Sequence, residues 1–315
     1  ALFMFAVSWL TFCVPPGLHW HDTAEFTAVG QRLSVSHPPG HPIHAMLTAL
    51  FERLPIGSLY IRAHWLSAVL SSLTTVIFAD LLRNLGPRLM PLSTLALAAL
   101  PLVMAATWMQ GIRSEVYALQ LLFMVSIARL LYALFSVRDA RLFCLLSFVF
   151  GLAGCNHHLI GLLWLPLGIV VVLRAGFSIR QWGWASFFGG LGLACYAYLP
   201  FRATAGGEVG WGRPNTMQGV WDMVSAREWA KSVSPPRQEN VSETIALLAE
   251  YGVAQVGAFG TVLCLVLAVA STFGALRAPR QLVWGLLYLM LAPLAFRLLY
   301  PPDILNPDLG GYLAP

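Results

Sequence analysis

The sequence predicts an all-α, polytopic transmembrane protein, and three observations carry that prediction. Hydrophobic residues make up 58% of the 315 and charged residues only 10%, where a soluble domain carries about 25% charge. Mean hydropathy is +0.70. Apolar stretches near the roughly 20 residues that cross a bilayer as a helix recur along the whole chain. Five scattered cysteines (Cys13, Cys144, Cys155, Cys195, Cys264) form no CxxC pair, so they read as small apolar packing residues rather than a disulfide framework or a zinc site.

Hydropathy places about nine membrane helices near residues 1–17, 62–84, 89–109, 114–136, 140–155, 158–174, 182–201, 250–275 and 281–300. The first has no basic leader and no small-residue cleavage site, so it reads as the remainder of a membrane helix, with both chain ends cut. The joints alternate. One set is short and basic: Arg83 and Arg88, Arg138 and Arg141, Arg174 and Arg180, Arg277 and Arg280. By the positive-inside rule that set is cytoplasmic, and it accounts for the formal charge of +5 without a nucleic-acid partner. The other set holds 18–61, 110–113, the Asn156-His157-His158 corner, 202–249 and 301–311. Of 14 acidic residues, only Asp80 and Asp139 sit near cytoplasmic joints. Two of the non-cytoplasmic segments, 18–61 and 202–249, are long. Within the first, residues 43–51 predict an amphipathic helix lying along the surface. The second carries Trp211, Trp221 and Trp229 among charged residues, which suits an interfacial loop.

Every polar cluster therefore falls on the face that lacks a nucleotide pool, so an enzyme there needs an activated donor carried in the membrane. The densest cluster runs from His19-Trp20-His21-Asp22-Thr23-Ala24-Glu25-Phe26 to Ser36-His37-Pro38-Pro39-Gly40-His41-Pro42. Asp22 and Glu25 share a helical face. They suit a general base on an acceptor hydroxyl, or equally an N-cap and the third residue of a capping box. The prolines hold His37 where it can meet a phosphate, or they simply end one helix and begin another. His157 or His158 can hold a phosphate beside Asn156, or the three cap a corner. Glu115 complements a helix N-terminus, and Arg113 pairs with it or with substrate. Arg202 suits a lipid-linked phosphate through its fork, or snorkels to the headgroups. Asp22, Glu25, His37 and His157 have the chemistry of divalent-ion ligands, but no spacing is diagnostic, and no metal is expected.

In these motifs the chain resembles a family of bacterial and eukaryotic multi-pass proteins related to the protein O-mannosyltransferases, within the GT-C class of membrane glycosyltransferases. The resemblance runs nearly end to end. It rests on Asp22-Thr23-Ala24-Glu25-Phe26, His37-Pro38-Pro39-Gly40-His41-Pro42, Glu115-Val116-Tyr117-Ala118-Leu119, Asn156-His157-His158, Tyr198-Leu199-Pro200-Phe201-Arg202-Ala203, Trp211-Gly212-Arg213-Pro214 and Asn306-Pro307-Asp308. The family often has tyrosine where His41 stands. The resemblance implies one GT-C-like transmembrane domain over 1–315, lacking the family's remaining membrane helices and any soluble C-terminal region.

It also implies transfer of a sugar, mannose first, from a polyprenyl-phosphate donor to a hydroxyl of an exported protein, a lipid or a glycan. The expected enzyme is inverting and needs no cofactor beyond its lipid-linked donor. Asp22 takes the role of essential acid, with Glu25 second; His37, Arg113, Glu115, Asn156, His157, His158 and Arg202 bind donor phosphate or substrate. The expected location is a bacterial inner membrane with the site facing outward. The alternatives are a transporter or flippase of lipid-linked sugars, or a non-catalytic binding subunit. Acids gathered at one face, rather than in mid-helix, favour the enzyme over alternating access.

Overall fold

A computed structural model describes residues 1–18, 22–86, 90–204, 210–227 and 246, with the side chains of 158–163 left aside. Among these residues all regular structure is helical. The elements are α1 (Leu2–Cys13), α2 (Thr23–Arg32), α3 (Pro42–Glu52), α4 (Leu59–Leu85), α5 (Pro91–Ala99), α6 (Ala105–Ile112), α7 (Val116–Ser136), α8 (Ala140–Ala175), α9 (Ile179–Leu193), α10 (Tyr198–Arg202) and α11 (Met217–Val224). The predicted helices 250–275 and 281–300, the Asn306-Pro307-Asp308 motif and His19-Trp20-His21 lie outside the described residues.

Three helices are long and apolar enough to cross a membrane: α4, α7 and the first half of α8, residues 140–157. Residues 91–112 make a fourth if α5 and α6 count as one span bent by 68°. The chain is thus a multi-pass membrane protein, with three or four spans among the described residues, where seven of the nine predicted helices fall. The predicted continuous span 89–109 is broken because Pro101 sits in a 3-10 turn, Leu100–Leu102, between the two pieces. The first half of α8 ends at His157, whose backbone (φ −149°, ψ 93°) is not helical, at the predicted corner. Beyond it the chain returns, because Phe177 stacks on Phe143 with ring centres 4.6 Å apart and Arg138 Nη2 donates to the Gly176 carbonyl at 2.5 Å.

Hydrogen bonds and an ion pair between helices fix which helix ends lie together. At one end the Ser114 N–H, before α7, donates to His64 Nδ1 of α4 at 2.9 Å. Asn156 Nδ2, at the α8 corner, donates to the Val116 carbonyl at 3.0 Å. At the other end Tyr132 donates to the Asn84 carbonyl at 2.8 Å, and Arg129 pairs with Asp80 at 2.5 Å. Leu66 and Leu70 of α4, Leu119, Ile127 and Leu131 of α7, and Leu146 of α8 are buried between these ends. The α8–α9 crossing is closer still: a Cβ on Gly151 would lie 2.3 Å from the Gly189 carbonyl oxygen, so the backbones touch where glycine leaves room.

The first long polar segment is not simply loop. It folds into α2 and α3, packed on each other and on the first-named end of the frame. α2 buries Thr23, Phe26, Thr27 and Gly30, one helical stripe. The predicted 43–51 helix is α3, opened by Pro42 at its first position, where a missing N–H costs nothing.

Candidate functional site

α2 carries the two acids, and the way the capping pattern resolves decides the site. Asp22 stands at the N-cap of α2, yet its side chain makes no cap hydrogen bond. Glu25, third in the helix, does not reach back to close a capping box either. Both carboxylates turn to His37, which the 34–41 turn brings over the start of α2. One Glu25 oxygen accepts the His37 backbone N–H at 2.6 Å, and the other lies 3.1 Å from His37 Nδ1. Asp22 Oδ2 lies 3.8 Å from the opposite ring nitrogen, Nε2. Asp22 is the most open of the three, its side chain 40% exposed against 21% for Glu25 and 16% for His37.

The turn that presents His37 is tightly determined. Gly40 donates its N–H to the His37 carbonyl at 2.8 Å and has φ +94°, a conformation that favours glycine. A Cβ there would meet Leu199 Cδ2 at 2.7 Å. Phe26 forms the floor, its ring 5.4 Å from His37, 5.5 Å from His41 and 4.8 Å from His44. A file of imidazoles leads inward: His37 to His41 at 5.2 Å, then His41 to His157 at 6.2 Å. Trp211 stands 6.3 Å from His37, on a segment whose N–H donates to the Val35 carbonyl at 3.0 Å.

His41 and His44 were not among the expected site residues, yet both rings are buried here. His41 Nδ1 lies 2.5 Å from the Asn156 carbonyl oxygen. Its pKa is held well below the usual imidazole value, by burial first and then by His37 and His157, with the Asn156 carbonyl opposing. Burial pulls His44 down to about 3 against the opposing Glu115 backbone. Both are therefore neutral near pH 7. The substitution of His41 for the family's usual tyrosine was the one signal that pointed here.

The other expected residues divide by depth. Arg113, Glu115 and Asn156 are completely or almost completely buried. Arg113 Nη2 donates to Gln110 Oε1 at 3.0 Å, and Nη1 lies 3.8 Å from Glu115 Oε1. Glu115 is the N-cap residue of α7 without a side-chain cap bond. Asn156 ties the α8 corner to α7 through Val116 and Gln120. Asn156 thereby braces Val116, which packs with Phe26 and Tyr117. His157 lies against the rings of His41 and Tyr117, while the His158 side chain lies outside the described residues. Arg202 serves α2, with Nε donating to the Leu33 carbonyl at 2.7 Å and Nη2 to Arg32 at 3.1 Å. It thereby satisfies the carbonyls at that helix end.

Asp22, Glu25 and His37 place possible metal-ligand atoms within 4.8 Å of one another. Their arrangement divides them: the closest Glu25 and Asp22 approaches are to opposite nitrogens of one ring. A cation on Nε2 and Asp22 would leave Glu25 on Nδ1, behind the ligating histidine.

The protein O-mannosyl-transferase TMEM260 N-terminal domain family matches residues 22–180, a stretch that starts at Asp22 and includes the α8 corner. The chain belongs to this family. It is also 25% identical over 242 residues to the mouse (Mus musculus) protein O-mannosyl-transferase TMEM260, an alignment covering 70% of this chain and 32% of that protein. The chain thus spans about a third of the length of that curated relative. No solved structure matches it.

Proposed function

We propose that this chain is the membrane part of a glycosyltransferase that moves mannose from a polyprenyl-phosphate donor to a protein hydroxyl on the non-cytoplasmic face. One observation carries the reading. Asp22, at the N-cap of α2 without a side-chain cap hydrogen bond, places a carboxylate 3.8 Å from the ring of a histidine that Glu25 holds, at the end of the frame where the polar motifs converge. Membership of a family described as O-mannosyl-transferase supports it.

In this reading Asp22 takes the proton of the acceptor hydroxyl as that oxygen attacks the sugar's anomeric carbon. The carbon–oxygen bond to phosphate breaks on the opposite face, and its electron pair leaves with the lipid phosphate, so the anomeric configuration inverts. A donor tethered by an isoprenoid tail would present its sugar to α2 and α3 from the bilayer surface. Neutral His41 and His44 leave the buried floor without added positive charge.

The test is transfer of label from radiolabelled polyprenyl-phosphate mannose to a host membrane extract by the purified protein. Asp22→Asn is expected to lower the rate by about 10²–10⁴-fold, the usual contribution of a general base. Transfer at the unmutated rate by a folded Asp22→Asn protein would remove Asp22 from the chemistry.

A further inference from the structure

We propose that Glu25 is a positioning residue that acts through His37, and that His37 is the next carrier of the proton Asp22 collects. This rests on the reading of Asp22 as the base. Glu25 grips His37 twice, at the backbone N–H (2.6 Å) and at ring Nδ1 (3.1 Å). A carboxylate on Nδ1 selects the tautomer with hydrogen there, because it can only accept. The lone pair of the neutral ring is then on Nε2, the nitrogen that faces Asp22.

The proton route follows. The acceptor's hydroxyl proton moves to Asp22 as the acceptor oxygen bonds the anomeric carbon and the phosphate departs with its electron pair. Asp22 then passes that proton to His37 Nε2, regenerating its carboxylate, and the resulting imidazolium is balanced by Glu25 across Nδ1–H. The present 3.8 Å gap is longer than a hydrogen bond, so the handover needs Asp22 to close by about 1 Å on the ring. A three-ligand cation site is the competing arrangement, since one atom from each of the three residues lies within 4.8 Å of the others, and the experiment below separates the two. The start of α2 also favours anions over cations.

Among the described residues, the charged and titratable groups facing His37 include Asp22 and Glu25 of α2, with His41 and His44 at the start of α3. The full chain with ¹⁵N-labelled histidine, in detergent, reports the state of the His37 ring directly, with His37→Gln assigning the signal. The expected result is an Nδ1–H tautomer in the unmutated protein and a lower His37 pKa in Glu25→Gln. In the transfer assay Glu25→Gln should lower kcat by at least about tenfold with little change in KM for the donor, and shift the pH profile. Glu25→Asp should recover part of the rate.

An Nε2–H tautomer in the unmutated chain overturns the proposal without any variant having to fold. So does a His37 pKa that Glu25→Gln leaves in place. Loss of activity to a chelator, restored by Mn²⁺ that also broadens the His37 signal, overturns it in favour of a cation site. If His37 shows the expected tautomer but wild type and variants are equally inactive with every acceptor extract, the transferase reading fails and the proton route falls with it.

Discussion

Glu52 closes α3 with both carboxylate oxygens buried, one of them close against Gly30. Burial pushes its pKa up to about 8, although Arg62 and Arg53 pull it down. In the unfolded chain a glutamate ionises near about 4.3. Between that value and 8 the unfolded state gives up the proton and the folded state keeps it, so stability falls as pH rises through this window. Glu52→Gln is expected to remove that slope and to melt higher than the unmutated protein at pH 8. Thermal unfolding of both at pH 5, 6.5 and 8 measures this, and parallel curves would mean that Glu52 ionises freely in the fold. His44 works at the acid end: with its pKa depressed to about 3, it costs stability as pH drops below about 6.5. Residue types were a good guide to this region and their partners a poor one. Asp22-x-x-Glu25 reads as a capping box as readily as a pair of acids. Which reading wins depends on the 34–41 turn carrying His37 back to α2, a contact across 12 residues that local pattern does not encode. His41 was marked only as a departure from the family's tyrosine, and His44 went unflagged because an imidazole in an apolar stretch has no periodic signature of its own.

At the scale of elements, long apolar helices were legible to within a few residues: 62–84 became Leu59–Leu85, and 114–136 became Val116–Ser136. Burial in lipid demands a long, uninterrupted apolar run, which is the strongest signal a sequence holds. α2 was not legible as an element. TAEFTAVGQR is short and polar overall, and its buried face is completed only by packing on α3. The α8–α9 crossing was also hidden, because small residues reveal close approach only once the partner helix is known. It now supports a sharp contrast. Gly151→Leu places a Cβ 2.3 Å from the Gly189 carbonyl oxygen, and backbone cannot step aside as a side chain does. The expected cost is about 1–3 kcal/mol, as for other overpacked sites. Gly183, also in α9, has nothing within 4 Å of its Cβ position, so Gly183→Leu should be neutral or stabilising through helix propensity alone. Unfolding of both variants in detergent measures the difference, and equal behaviour would mean that the crossing is looser than described.

At the scale of the whole molecule, the frame has two chemically distinct ends. One gathers Asp22, Glu25, the histidines, the α8 corner and the Arg202 cap on α2. The other gathers Asp80, Arg129, Arg138 and the 137–139 and 176–178 joints, close to the basic joints of the sequence. By the positive-inside rule the second end is expected in the cytoplasm and the acidic site outside it. Single-cysteine labelling in intact cells decides this, on a background with the five native cysteines replaced. Ser136, the last residue of α7, and Asn215, before α11, are exposed, one near each end, and each is replaced by cysteine. A membrane-impermeant maleimide is expected to label position 215 directly, and position 136 only after the membrane is opened. The reverse pattern would put Asp22 in the compartment that holds nucleotide sugars. A lipid-carried donor would then not be required, because soluble activated sugar would lie within reach of the site.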